Sequence, residues 1–289
     1  MKDEFTKRWI IDNSVEICER YEYGVLTLRS LHYQLVGIGM TNDVQHYKRV
    51  VTAMIDARWD GVISFDQFSD LDRSMVGETE HEETNLDEMV EKGKYQVEAW
   101  MTAYRKNRWE NQPIYPEVLI EKKALQGVFA PICSKHNVSV GACKGYPSLT
   151  FLNEMANRYL SIDKKIVLLY FGDYDPSGED IPRSIVENLK RFGVDVELKR
   201  MALMEDQVVK WNLPPAPAKV TDSRTAKWDG LGQVELDAVR PEKLQKLCSD
   251  AILELFDEDL YSELQEQEST EREEYQSILR EFVNDMKID

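Results

Sequence analysis

The sequence predicts an α/β protein that has a helical unit at its N-terminus and a parallel sheet flanked by helices after it. Two observations support this prediction. Three short apolar segments between residues 116 and 171 are each followed by a stretch with helical spacing, an alternation typical of parallel strands joined by right-handed crossovers. Ahead of them, the apolar residues between residues 14 and 61 recur only at helical spacing and are interrupted by short glycine turns.

Composition places the chain among globular proteins. Its 289 residues, 42% of them hydrophobic, are enough for one or two domains with packed cores. Neither a long apolar run nor a signal-peptide core occurs, so the sequence predicts a cytoplasmic protein with no membrane segment. The four cysteines and four histidines are scattered singly, which argues against a zinc site or a disulfide framework and favours buried cysteines.

The net charge of −17 is unevenly distributed along the chain. Residues 251–289 hold thirteen acidic residues against three basic ones, and this tail is expected to be helical, with a solvated face or a docking surface for a partner. Proteins that bind nucleic acids are usually basic, so the total charge argues mildly against DNA. A local basic face can coexist with an acidic tail, and charge alone therefore does not decide the partner.

The N-terminal region has the outline of a helix-turn-helix. Helices are predicted over residues 14–23, 28–36 and 41–61, with a glycine turn before the third. A three-helix packing unit that does not touch DNA explains the pattern equally well, because the third helix carries acidic as well as basic residues. Its candidate DNA-binding residues are Lys48, Arg49 and Arg58.

An acidic, polar stretch over residues 70–95 predicts an exposed linker and a domain boundary. We expect a helix from Tyr95 to Gln112, whose end carries Arg105 and Arg108. These two arginines are further candidates for contacts with a phosphate backbone, although cations at a helix C-terminus also complement the macrodipole. The predicted division of the chain is 1–75, 76–110 (linker and connecting helix), 111–250 and 251–289.

Three carboxylates follow two of the predicted strands. Glu121 comes directly after "EVLI", and Asp173 and Asp175 come after "KIVLLYF". Ligands of an open parallel sheet bind at the carboxyl ends of its strands, and clustered carboxylates need a cation, for which Mg²⁺ is well suited. Asp175 also has a structural explanation as the N-cap of a helix that begins at Pro176, but capping explains neither Asp173 nor Glu121.

The segments "VLIEKKAL", "GACKGYPS" and "LLYFGDYDPSGEDI" resemble the Toprim domain of type II topoisomerases and related nucleases. The form "GDYDPSG" resembles in particular the A subunit of topoisomerase VI and the related meiotic double-strand-break proteins. The resemblance covers about residues 116–200, and "WNLPPAPAKVTDSR" and "QVELDAVRPEKL" extend it to about residue 250. It implies a winged-helix domain followed by a Toprim domain, in a short, stand-alone version of the family.

The resemblance also implies a mechanism. In "LTLRSLHYQLV", Arg29 and Tyr33 match the family motif whose last tyrosine attacks DNA, while His32 replaces the other tyrosine of that motif. The family cleaves double-stranded DNA as a homodimer, forms a 5′-phosphotyrosyl link, and uses Mg²⁺ held by the residues matching Glu121, Asp173 and Asp175. Lys144 is a candidate phosphate contact or an ordinary loop lysine. The chain has no evident nucleotide-binding motif, so strand passage would need a separate ATPase (B-type) subunit.

Two alternatives remain open at this stage. The first is a Toprim-type nuclease that hydrolyses DNA with a metal-activated water and does not use Tyr33. The second is a DNA-binding or assembly protein without activity, which the net charge of −17 favours more than it favours an enzyme.

Overall fold

The computed structural model describes residues 4–68, 85–215 and 232–285. These residues form two compact units, one holding the described parts of 1–73 and 114–255 and the other those of 74–113 and 256–289. Most of the predicted acidic linker, the second half of "WNLPPAPAKVTDSR" and the last four residues of the tail lie outside the described residues. Among the helices described, none is both long and apolar enough to cross a membrane.

The first unit contains a four-stranded sheet in which all neighbouring strands are parallel. The strand order is β2-β1-β3-β4, so the two central strands are those followed by the predicted carboxylates. The α/β prediction and the parallel pairing are thereby confirmed. The strands are β1 Ile114–Ile120, β2 Ser139–Ala142, β3 Lys165–Phe171 and β4 Val196–Ala202.

Helices cover the sheet as the alternating pattern predicts. The α-helices that follow β1 in the first unit are α5 Gln126–Lys135, α6 Leu149–Tyr159, α7 Pro176–Arg191, α8 Glu205–Lys210 and α9 Pro241–Glu254. On one face, α6 and α7 share a core with inward side chains of β1 and β3, including Leu119 and Leu168. The alternating side chains point the other way, where the Phe129 ring of α5 lies 4.7 Å from that of Phe171, centroid to centroid.

Three helices form the N-terminal part of the first unit: α1 Lys7–Cys18, α2 Leu28–Gly37 and α3 Val44–Trp59. The side chains of Thr27 and Asp43 cap α2 and α3, which end close to the predicted bounds. The first helix begins and ends earlier than the predicted 14–23. Residues 4–68 show only an isolated bridge between Leu26 and Phe68 where a wing would need strands, so the winged helix stays a prediction.

The second unit contains α4 Leu86–Met101 and the acidic α10 Glu258–Asp285. The prediction of a helix from Tyr95 to Gln112 was wrong, because the helix begins at Leu86 and ends at Met101. Arg105 and Arg108 consequently lie in the irregular segment after it and not at a helix C-terminus.

Candidate functional site at the strand ends

The pairing of the two central strands brings Glu121 and Asp173 together. Ile120 lies opposite Phe171 in the register, and the amide of Glu121 extends the pairing by donating to the carbonyl of Phe171 at 2.9 Å. One step further, the backbone amide of Asp173 donates to Oε2 of Glu121, also at 2.9 Å. Both carboxylates are buried, with exposed fractions of 9% for Glu121 and 2% for Asp173.

Asp175 starts α7 and caps it. Its Oδ1 accepts a hydrogen bond from the amide of Gly178 at 2.7 Å, which satisfies one of the free donors of the first turn. A side chain at position 178 would be impossible without rearrangement, because its Cβ would lie 2.2 Å from the carbonyl oxygen of Asp173. The glycine therefore lets the helix begin directly against the carboxylate loop.

A late segment of the chain, residues 232–239, crosses the end of β3. It is anchored by an antiparallel bridge between Tyr174 and Val234, and the amide of Leu236 donates to Oδ1 of Asp173 at 2.7 Å. This crossing delivers two more buried carboxylates, Glu235 and Asp237, to the strand ends.

The ammonium of Lys122 lies among these carboxylates. Its Nζ is 3.0 Å from Oδ2 of Asp173, 3.0 Å from Oδ2 of Asp237 and 3.4 Å from Oε2 of Glu235. Burial by itself would lower the pKa of Lys122, but the surrounding negative charges outweigh it and raise the pKa above its usual range. Lys122 is therefore charged at neutral pH.

The same late segment holds α2 against the strand ends. Nη1 of Arg29 lies 2.5 Å from Oε2 of Glu235, and the hydroxyl of Thr27 donates to Oδ1 of Asp237 at 3.2 Å. One turn after Arg29, Tyr33 is 6% exposed. Burial and the nearby charge of Glu235 raise the pKa of Tyr33, while Arg29 and Lys122 oppose the shift, so the phenol is neutral near pH 7.

His32 lies next to this tyrosine. Its ring centroid is 5.9 Å from that of Tyr33, and burial lowers the pKa of the imidazole. The lowered pKa favours the neutral imidazole, which can accept a proton.

A basic cleft of about 780 Å³ opens beside these groups, between α2, α3 and the strand ends. Glu121 and Asp237 are its acidic lining residues, and Tyr47 and Phe68 add aromatic surface. Its basic lining residues are Arg29, Arg58, Lys122, Lys123 and Lys144. In a chain with a net charge of −17, this local excess of cations favours an anionic ligand.

The other predicted DNA-binding residues have different surroundings. Lys48 and Arg49 line a separate depression on α3, together with Lys7. In the second unit, a guanidinium nitrogen of Arg105 is 4.0 Å from Glu268 and one of Arg108 is 3.8 Å from Glu258, both on α10. Of the predicted DNA-binding residues in the first unit, Arg58 and Lys144 line the cleft together with Arg29 and Glu121, whereas Lys48 and Arg49 do not.

Charge repulsion and burial act together on the strand-end carboxylates. Burial raises the pKa of Asp173 to about 7; Lys122 opposes this shift and the charge of Glu121 adds to it. Burial also raises the pKa of Glu121, and the charge of Asp175 adds to this effect. The carboxylates of Glu121 and Asp175 thus lie close enough to influence each other.

The donor set partly fits the predicted Mg²⁺. Among the described residues, no group of three or more His, Cys, Asp or Glu side chains is arranged to hold a metal ion. Asp173 has both oxygens engaged, one by the amide of Leu236 and the other by Lys122. Glu121 and Asp175 each have one oxygen outside the hydrogen bonds described above, and two carboxylates with retained waters and a substrate phosphate suit Mg²⁺.

Sequence reasoning missed Lys122, Glu235 and Asp237. Two signals were present: a lysine directly after the strand-end glutamate, and the "ELD" spacing, which places two acidic side chains two residues apart as in "DYD". Neither signal reveals that residues 232–239 cross the end of β3, because that contact joins residues 63 positions apart.

A scan against models of protein families finds no match to this chain, and a search of curated proteins finds none either.

Proposed function

We propose that this chain cleaves double-stranded DNA by transesterification, with Tyr33 as the nucleophile, in the manner of the topoisomerase VI A subunits that its motifs resemble. One observation carries the proposal. Arg29, on the helix that bears Tyr33, pairs with Glu235, and Thr27, which caps that helix, donates to Asp237. Both carboxylates lie at the strand ends, beside a basic cleft.

The cleft supplies what binding of DNA requires. Arg58, Lys123 and Lys144 can contact backbone phosphates, and Tyr47 and Phe68 offer aromatic faces to bases or sugars. The tail of residues 251–289 carries −10 of the net charge of −17, so the rest of the chain is much closer to neutral. We expect binding to weaken steeply with salt concentration.

In the proposed step, Oη of Tyr33 loses its proton and attacks the phosphorus of a phosphodiester. The new bond joins phosphorus to the tyrosine oxygen, the bond from phosphorus to the 3′ oxygen breaks, and that oxygen takes up a proton. The products are a 5′-phosphotyrosyl link and a 3′ hydroxyl, so the step needs no ATP. A divalent ion held by Glu121 and Asp175 would supply positive charge to stabilise the leaving oxygen.

The residues around Tyr33 have matching roles. The phenol is neutral at rest, so its proton must be removed as it attacks, and the neutral ring of His32 is the adjacent acceptor. Arg29, which is already charge-paired with Glu235, lines the cleft and can contact the phosphate under attack. Cleavage of both strands requires two tyrosines, hence a homodimer, and strand passage requires a separate ATPase subunit.

The decisive experiment compares two tyrosine variants. Y33F should abolish protein that is covalently linked to DNA 5′ ends in the presence of Mg²⁺. Y47F is the matched control, because Tyr47 lines the cleft and keeps its ring under Arg29 when the hydroxyl is removed. An adduct that persists in Y33F would refute the assignment of the nucleophile.

A second candidate function is hydrolysis of DNA by a metal-activated water. It is favoured by the fact that Glu121 lines the cleft, whereas Tyr33 is not among the lining residues. In that case Y33F would still cut DNA and leave free 5′ ends, while E121Q would lose all cleavage. The same gel, run with and without protease treatment, separates the two functions.

A further inference from the structure

The ammonium of Lys122 occupies the centre of a carboxylate cluster. Asp173, Glu235 and Asp237 each place one oxygen within 3.0 to 3.4 Å of its nitrogen. An ammonium has three protons to donate, so one lysine matches three acceptors. The carboxylates come from two separate segments, the end of β3 and residues 232–239.

Burial makes this cation necessary. The side chains of Asp173 and Asp237 are each 3% exposed and that of Glu235 is 8% exposed, so water screens them poorly. Three carboxylates so close together repel one another strongly when no cation is present. Arg29 pairs with Glu235, but Lys122 is the cation that pairs with all three.

The same position is where a divalent ion would otherwise bind. Buried carboxylates from several segments are the ordinary ligands of Mg²⁺ and Ca²⁺, and here the lysine nitrogen takes the place of the ion. The second oxygen of Asp173 accepts from the amide of Leu236, so both oxygens of that carboxylate already have protein donors.

We infer that Lys122 is the built-in cation of the cluster formed by Asp173, Glu235 and Asp237, and that it replaces a divalent ion there. A metal ion used in the proposed cleavage is then held by Glu121 and Asp175, while Asp173 positions Lys122 and Leu236. Only this assignment of the metal rests on the proposed function; the role of Lys122 in the cluster is independent of it.

The inference is tested by removing the ammonium of Lys122 and measuring whether a divalent ion can stabilise the cluster in its place. K122M keeps the aliphatic stem and removes the charge, and K123M is the matched control, since Lys123 is the next residue and lines the same cleft. In a chelator, K122M should melt about 10 °C below the wild type, because three buried carboxylates lose their counter-ion. K123M should melt close to the wild type.

Addition of millimolar Mg²⁺ or Ca²⁺ should then raise the melting temperature of K122M by several degrees more than that of the wild type or of K123M. A purely packing role for Lys122 would give the loss without this rescue by cations. Melting of K122M at the wild-type temperature, or a loss that neither ion reduces, would overturn the inference.

A companion variant covers the case in which K122M does not fold. K122M/D237N removes one negative charge together with the lysine and keeps an oxygen that can accept from Thr27. We expect this double variant to fold and to melt above K122M; failure to recover would count against the inference. None of these measurements uses DNA, so the two proposals can fail separately. If the melting tests fail but the wild type cleaves DNA, only the role of Lys122 is refuted. If they succeed but the wild type never cleaves DNA, only the proposed function is refuted.

Discussion

The two units of the molecule bury their charged side chains to different degrees. At the strand ends of the first unit, charged side chains are buried and their partners lie up to 206 residues away in sequence, as for Arg29 and Glu235. On α10 of the second unit most charged side chains are exposed, although its ion pairs include both distant partners, such as Arg105 with Glu268, and partners one helical turn apart, such as Glu268 with Arg272. Loss of one partner from a buried ion pair leaves an unpaired buried charge and costs much stability. An exposed charge that loses its partner is solvated by water, so its loss costs little.

The largest effect is expected where a buried carboxylate loses its cation. Both oxygens of Glu117 in β1 accept from Nη2 of Arg158, and the side chain of Glu117 is 3% exposed. R158M should lower the free energy of unfolding by about 3 kcal/mol, which is below the upper values for such pairs because Arg158 is partly exposed. Urea unfolding measures this loss.

The matched control is R183M on α7, whose carboxylate partners Asp180 and Glu187 are exposed and local. It should shift the unfolding midpoint very little. Equal losses in the two variants would break the comparison between buried and exposed pairs.

The loss in R158M should also depend on pH. Burial already raises the pKa of Glu117 above its ordinary 4.5, and removal of Arg158 raises it further. The folded state of the variant then binds a proton more tightly than the unfolded state, so stability falls as pH rises from about 4.5 towards the raised pKa. R158M should therefore lie closer to the wild type at pH 5 than at pH 8.

The next effect concerns a glycine beside the carboxylate loop. G178A would place Cβ at 2.2 Å from the carbonyl oxygen of Asp173, so we expect a loss of about 2 kcal/mol or more, with displacement of Asp173 and Asp175. Thermal unfolding measures the loss. An unchanged melting temperature would mean that the start of α7 is looser than described.

A smaller effect separates the two sets of predicted DNA-binding cations. If the cleft binds DNA, K144Q should reduce the slope of log affinity against log salt by about one, as expected for one lost phosphate contact. R105Q should leave the slope unchanged, because Arg105 lies beside Glu268 of the second unit. Titrations of a duplex at several salt concentrations measure both slopes, and a larger change in R105Q would reverse the assignment.

The smallest effect is a gain in the second unit. Gly93 lies inside α4, and a Cβ there would meet nothing within 4 Å. G93A should stabilise this helix by about 0.5 to 1 kcal/mol, since alanine restricts the unfolded chain and favours helix. Hydrogen exchange of the α4 amides measures the gain, and faster exchange in G93A would contradict it.

The elements that sequence reasoning predicted well are those whose pattern is local. The apolar runs of β1 and β3 and the capping residues Thr27 and Asp43 identify their elements without knowledge of the rest of the chain. Glu121 and Asp173 were expected to meet only if their strands are neighbours, and the strand order places those two strands side by side. The end of α4 was misplaced, because helical spacing continues past Met101 into residues whose backbone takes other conformations.

The environment of the candidate site was beyond sequence reasoning for a different physical reason. The ion pairs of Lys122 with Glu235 and Asp237 depend on residues 232–239 lying across the end of β3, and no periodicity encodes that contact. The burial of all four cysteines, by contrast, followed from their scattered, unpaired positions.

The crossing of residues 232–239 over β3 has a consequence for synthesis on the ribosome. The four strands and α2 are all translated before this segment, so they can pair and pack while Arg29, Thr27 and Asp173 still wait for their late partners. The polar end of the sheet is thus completed only after the four strands and α2 have been synthesised. Any activity that depends on this end is withheld from the nascent chain until the segment has emerged.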